Sequence, residues 1–342
     1  MVTMSASLAL GLVSALVSAS AADGPVREVR PMLPWYAAIH GAEVDHDLAL
    51  ASAAFDHAKH LGFGGVRTDI FWHEVEPSRD QWNPAMVAFH VGYVQLARER
   101  ELDPLVILSG APGWAVDLYD TDAAAFWLEF EDYVRRVLFL VAPEANTYQL
   151  WNEPNHFIDP IDADDDWQLI ARAGALVREL DPTATTCVNA MANLPGWQDA
   201  IDDWITRAGD FIDLIGVDHY PGTWACCTAA DWGPLEVLVA RINTPGDLWF
   251  GKRGGLMETG FSSWSWLFAD EQDQADWIAQ ALPEIRLRLD ADIGRRMALC
   301  CFYQLIDVDT GGWGQEAHFG IVHSDGTPKL GYPELGRRLW EF

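Results

Sequence analysis

Along the chain eight short apolar runs alternate with longer amphipathic stretches, with no low-complexity linker or change of composition between the halves. The strand-like runs span 35–39, 65–70, 105–109, 147–151, 185–189, 212–218, 255–258 and 297–306. Between them lie helical stretches at 48–60, 86–100, 126–140, 167–180, 197–207, 235–242 and 272–289. In 127–140 and 167–180 the apolar residues recur at three and four, and Asp181-Pro182 stops the second. This alternation predicts an α/β fold, a (β/α)8 TIM barrel, over a doubly wound sheet, which typically has about five or six strands. Barrels of this kind commonly need about 250 residues, so a 342-residue chain requires only one such domain.

The N-terminus, Met1-Val2-Thr3-Met4 and then an apolar, small-residue run to Ala19-Ser20-Ala21, has the shape of a secretory signal with an Ala-x-Ala cleavage site, although no Lys or Arg precedes the run. The expectation is a signal peptide over 1–21, a single catalytic domain over 22–342, and a secreted or extracytoplasmic protein without stable membrane association. The formal charge of −29 comes from 51 acidic against 22 basic residues. Such a field repels polyanions, so nucleic acid is excluded as a partner, whereas a neutral sugar polymer is not. The five cysteines, Cys187, Cys226-Cys227 and Cys300-Cys301, match no zinc spacing. Cys300 and Cys301 lie in a strand-like run and read as small core residues; the pairing of Cys226 and Cys227 and the oligomeric state are left open.

Two glutamates end apolar runs. Leu150-Trp151-Asn152-Glu153-Pro154-Asn155 stops a strand at a proline, and Gly255-Leu256-Met257-Glu258-Thr259-Gly260 carries its carboxylate into a glycine turn. They fall on the fourth and seventh strands, and barrel chemistry sits at the carboxyl ends of strands, which converge on one mouth. Paired carboxylates there suit glycoside hydrolysis, one as proton donor and the other as base or nucleophile.

These segments, with Gly65-Val66-Arg67-Thr68-Asp69, Trp72, Glu76-Pro77 and Asp218-His219-Tyr220-Pro221, resemble glycoside hydrolase clan A, above all its family 39 and family 5 groups. The stretch from His318-Phe319-Gly320-Ile321 to Asp325-Gly326-Thr327-Pro328-Lys329 resembles the tail that follows strand eight in that clan. The resemblance implies a retaining hydrolase of a β-linked oligo- or polysaccharide, with Glu153 as acid/base and Glu258 as nucleophile. It further implies Asn152 as a hydrogen bonder to the sugar 2-hydroxyl, and Arg67 and Tyr220 as partners that orient Glu258. Retaining partners stand about 5 to 5.5 Å apart. Without the resemblance, Arg67 reads equally as a core-edge arginine paired to Asp69, and His219 either lines the sugar site or fills the barrel rim.

Sugar rings present flat apolar faces to aromatic side chains. Of the 17 tryptophans, Trp72, Trp114, Trp224, Trp264, Trp266 and Trp313 follow strand-like runs and are the candidates for such contacts, while Trp127, Trp167 and Trp277 sit at helical spacing and read as packing residues. Strand eight departs from the clan, reading Cys301-Phe302-Tyr303-Gln304-Leu305 where many members carry a tryptophan platform. Either Tyr303 or Trp313 takes that place. No His/Asp/Glu cluster has ligand spacing, so neither a metal nor another cofactor is expected. The alternatives are a sugar-binding barrel without turnover and a metal-dependent barrel enzyme.

Overall fold

A computed structural model describes residues 33–39, 46–156, 160–223, 228–264, 269–308 and 314–341. The expected signal segment, Trp224, Trp266, Trp313, Cys226 and Cys227 lie outside the described residues. Eight parallel strands close into a barrel in chain order: β1 Trp35–Ala38, β2 Gly65–Phe71, β3 Asp103–Ser109, β4 Thr147–Gln149, β5 Thr185–Met191, β6 Leu214–Asp218, β7 Arg253–Thr259 and β8 Met297–Phe302. Closure is made by β1 against β8, with Trp35 opposite Cys300 and Tyr36 opposite Cys301.

Helices α1 Leu48–Leu61, α2 Trp72–Val75, α3 Pro84–Glu99, α4 Gly113–Thr121, α5 Ala123–Val141, α6 Asp166–Leu180, α7 Trp197–Ala208, α8 Gly233–Asn243, α9 Glu271–Asp290 and α10 Tyr332–Leu339 follow the strands. Their ends are written locally. Asp47 accepts from Ala49 N–H at the start of α1, and Gly62 closes that helix at φ 97°, a conformation only glycine adopts cheaply. Asn83 caps α3 ahead of Pro84, and Asp270 with Asp273 forms a capping box on α9. The expected helices are all present within a few residues at each end. The additions are α2 and α4, short turns in the loops after β2 and β3, and α10 near the C-terminus.

Alternation along the strands makes two apolar layers. Tyr36, Leu105, Ile107, Cys187, Leu214, Met257, Leu299 and Cys301 fill the barrel, while the larger cluster between strands and helices holds Val66, Val106, Val188, Leu256 and Cys300. Cys300 and Cys301 thus point to opposite sides of β8, both buried and unbridged, as is Cys187. Trp127 and Trp277 are buried in the outer layer and Trp167 is half-buried against it.

Candidate active site

Polar side chains replace apolar ones at the carboxyl ends of the strands. Arg67 on β2 is 1% exposed and spreads its donors over three acceptors: Nη1 to Glu258 Oε1 at 2.5 Å, Nε to Gln149 Oε1 at 3.0 Å and Nη2 to Asn152 Oδ1 at 2.9 Å. Burial works against its charge, but Glu258 and Asp218 more than offset this and hold the guanidinium cationic. Asp69, the other partner open to Arg67 in the sequence, instead accepts from Ser109 Oγ at 2.8 Å. The second oxygen of Glu258 accepts from Tyr220 Oη at 2.5 Å. Glu258 thus accepts from two donors, one of them charged, which fixes both of its oxygens in place.

Glu153 leaves β4 by a different device. Its backbone is left-handed, φ 44°, and its N–H donates to Asn189 Oδ1 at 3.0 Å while its carbonyl accepts from His156 N–H at 2.8 Å. Asn155 accepts from Met191 N–H at 3.0 Å and donates to Met191 O at 3.1 Å, tying the turn to β5. Burial first, and then the negative charge of Glu258, pushes the Glu153 carboxyl up to about 8. Asn152 Oδ1 collects three donors, from Arg67, Gln149 Nε2 at 3.0 Å and Asn189 Nδ2 at 3.2 Å. That fixes its carboxamide orientation and directs Nδ2 away from these partners as a donor for a ligand.

Three further residues, to which the sequence reading assigned no role, complete the cluster. Gln149, Asn189 and Asp218 end or nearly end β4, β5 and β6, and all are fully buried. Gln149 Nε2 donates to Asn189 Oδ1 at 2.8 Å, and Asn189 Nδ2 donates to Asp218 Oδ2. One oxygen from each of Glu153, Asp218 and Glu258 lies within 4.8 Å of the others. Three carboxylates could form an oxygen donor set for a hard cation, but Arg67, Tyr220 and Asn189 already engage three of these oxygens.

The remaining expected residues divide. Tyr303, half-buried just past β8, meets Tyr220 edge-on with ring centroids 5.9 Å apart, and so stands beside the Glu258 partner. Trp264 is half-buried against His318, centroids 6.3 Å apart, in the segment after β8. Trp72 is a correction: it is fully buried, donates from Nε1 to Glu76 Oε2 at 2.8 Å and stacks on Tyr133. Trp114 is half-buried, set edge-on to Trp72 with its Nε1 donating to the Glu76 carbonyl at 3.1 Å. Both indoles have found protein partners and form part of the wall behind β2 and β3. His219 fills the rim. Its Nε2 donates to the Asp231 carbonyl at 2.6 Å, and its Nδ1 lies 2.9 Å from the Asn193 carboxamide, with the ring edge-on to Trp232. Burial holds it neutral by lowering its pKa.

No protein-family model and no curated protein matches the sequence. Solved structures do match the fold. A family 39 glycoside hydrolase from the gut symbiont Bacteroides cellulosilyticus WH2 superposes with a TM-score of 0.67 at 21% identity, over 90% of this chain and 63% of that one. An exo-β-1,4-mannosidase from Opitutaceae bacterium strain TAV5 gives 0.68 at 19% identity, over 91% and 59%. The chain therefore spans about six-tenths of the length of these two structures. A family 5 structure from Streptomyces cattleya in complex with N-acetylglucosamine gives 0.69 at 16% identity, over 91% and 80%. At these identities the shared property is the barrel itself: the chain has the (β/α)8 fold of the clan A glycoside hydrolases.

Proposed function

We propose that the protein is a retaining glycoside hydrolase acting on a β-linked oligo- or polysaccharide. The observation that carries this reading is the pair Glu153 and Glu258 at the ends of β4 and β7, with carboxyl oxygens within 4.8 Å. Retaining enzymes hold their carboxyls about 5 to 5.5 Å apart, whereas inverting ones leave about 6.5 to 9.5 Å for a water. The environments of the two differ as the two roles require, one ion-paired to Arg67 and the other raised towards neutrality by burial and a like charge.

In the first half-reaction a Glu258 oxygen attacks the anomeric carbon as the bond to the leaving oxygen breaks. That oxygen takes the Glu153 proton, while Tyr220 and Arg67 release negative charge from Glu258 into the new ester. In the second half, Glu153 removes a proton from water, the water oxygen attacks the anomeric carbon, and Glu258 departs as carboxylate. Asn152 Nδ2 supplies a hydrogen bond to the neighbouring sugar hydroxyl. Tyr303, beside Tyr220, offers an aromatic face in place of the tryptophan that many clan members carry.

The test is intact-mass measurement after incubation with a panel of activated 2-deoxy-2-fluoro β-glycosides. A stable adduct mapped by peptide sequencing to Glu258 is the expected result, and the sugar that labels identifies the substrate class. Binding of glycans with neither label nor turnover would instead make the barrel a sugar-binding protein.

A further inference from the structure

Between the two glutamates lie two buried amides whose orientation the network fixes. Gln149 on β4 and Asn189 on β5 are both fully buried. Gln149 Oε1 faces Arg67 Nε at 3.0 Å, and a guanidinium only donates. That contact leaves Gln149 Nε2 to point the other way, towards Asn189 Oδ1 at 2.8 Å. Asn189 Oδ1 also receives the Glu153 N–H at 3.0 Å, again a group that only donates. Asn189 Nδ2 is then turned to two acceptors, Asn152 Oδ1 at 3.2 Å and Asp218 Oδ2. Both acceptor and both donor positions of the Asn189 amide are therefore filled. A flipped amide would set its nitrogen against two donors and its oxygen against two acceptors, so a single orientation satisfies the network.

We propose that Asn189 is the positioning residue of the acid/base, oriented by Arg67 through Gln149 and holding Glu153 by its backbone. This rests on the reading of Glu153 as acid/base. Glu153 sits at φ 44°, a strained region for a residue with a Cβ, and such a conformation persists only where its surroundings over-determine it. The Asn155 bonds to Met191 grip the turn two residues further on, whereas the Asn189 bond reaches the strained residue itself. Without the Asn189 oxygen the Glu153 N–H loses its partner, and nothing at that residue holds φ against relaxation. Rotation there swings the carboxyl, and a catalytic group displaced by about 1 Å costs about 10²-fold in rate.

Arg67 accordingly serves both glutamates. Its Nη1 donates directly to Glu258, and its Nε sets the polarity of the two amides that end at the Glu153 N–H. The ends of β2, β4, β5 and β7 are thereby tied into one frame around the two carboxyls. Asn189 belongs to that frame and is itself shut off from any sugar by its burial.

Asn189→Leu keeps the approximate volume and removes every hydrogen bond, while Asn189→Asp keeps an oxygen for the Glu153 N–H. Both are compared with the native protein on two glycosides of one sugar, a dinitrophenyl glycoside whose leaving group needs no proton and a phenyl glycoside whose leaving group does. In Asn189→Leu, kcat/KM should fall about 10–10²-fold further on the phenyl than on the dinitrophenyl glycoside. Asn189→Asp should recover most of that difference. A merely structural loss lowers both substrates alike, so an equal fall, or an Asp variant with the same ratio as the Leu variant, overturns the proposal. A second measurement needs neither turnover nor a folded variant: hydrogen–deuterium exchange at the Glu153 amide of the native protein. Protection is expected there, and exchange as fast as at an open loop amide would sink the proposal. If the amide is protected while the native protein hydrolyses no glycoside, the hydrogen bond stands and the acid/base reading falls, taking the positioning role with it. If the native protein is active and the leaving-group ratio does not change in either variant, the role of Asn189 falls alone.

Discussion

Glu153 holds a left-handed backbone, φ 44°, which costs a non-glycine residue on the order of 1–3 kcal/mol. Asn189 and Asn155 lock that turn onto β5, so the carboxyl is aimed by bonds made to its backbone and remains free to exchange a proton. Glu153→Ala should therefore leave the barrel folded and cut kcat/KM on poor leaving groups by about 10²–10⁴-fold, the usual worth of general acid–base catalysis. An activated leaving group needs no proton, so with a dinitrophenyl glycoside the first half-reaction should survive and added azide should restore turnover by attacking the glycosyl-enzyme. Under the proposed function the Glu153 acid must be protonated, so kcat/KM of the native protein should fall as pH rises through about 8, as read from initial rates across the range. The positions of Glu153, Glu258 and Asn152 were legible in the sequence because each ends an apolar run within two residues of a proline or glycine. Gln149 and Asn189 were not, and Asp218 stood only at the head of the Asp218-His219-Tyr220-Pro221 segment without a role, because their arrangement is set by which strands are neighbours: they bond across β4, β5 and β6. Trp72 shows the reverse error, since an indole after a strand reads alike whether it faces a sugar or, as here, Glu76.

Strands β2 and β7 lie far apart in sequence, yet Arg67 joins their ends through Glu258, and that fork depends on how the loops above are anchored. The loop after β7 and the segment after β8 meet at Gly260, where a Cβ would lie 1.6 Å from the Tyr303 carbonyl, so only glycine fits. A buried lysine ties the same region together: Lys329 Nζ donates to Asp307 Oδ1 at 2.7 Å, Ser263 Oγ at 2.8 Å and the His318 carbonyl at 3.3 Å. Lys329→Met strands Asp307 and should destabilise the fold by about 3–5 kcal/mol, the usual cost of removing one partner of a buried pair. Pairing it with Asp307→Leu should recover much of that loss, and chemical denaturation of the three proteins measures both. The elements themselves were largely readable, because a buried strand followed by an amphipathic helix has two distinct periods. What escaped were α2, α4 and α10, eight or nine residues long at most, in which too few turns repeat for a period to emerge. The short β4, three residues, also ended before its apolar run did, because the chain already turns at Trp151 to place Asn152 and Glu153.

Across the whole molecule the charge of −29 surrounds a site that itself gathers three carboxyls around one arginine. Low-dielectric walls concentrate such a field in a cleft and change the local concentration of charged ligands by about ten-fold or more. A neutral sugar feels little of this; a uronide or sulfated sugar is repelled on approach and again beside Glu258. Mobile ions screen the field over about 10 Å at 0.1 M salt, so the two substrate classes should separate by ionic strength. For a neutral aryl glycoside kcat/KM should stay nearly level as sodium chloride rises from low to physiological concentration. For the matching uronide, if any turnover is measurable, it should start lower and climb, with the change appearing in KM more than in kcat because screening acts on encounter. A uronide hydrolysed faster than its neutral counterpart at low salt would contradict this account and require a cation in the cleft besides Arg67.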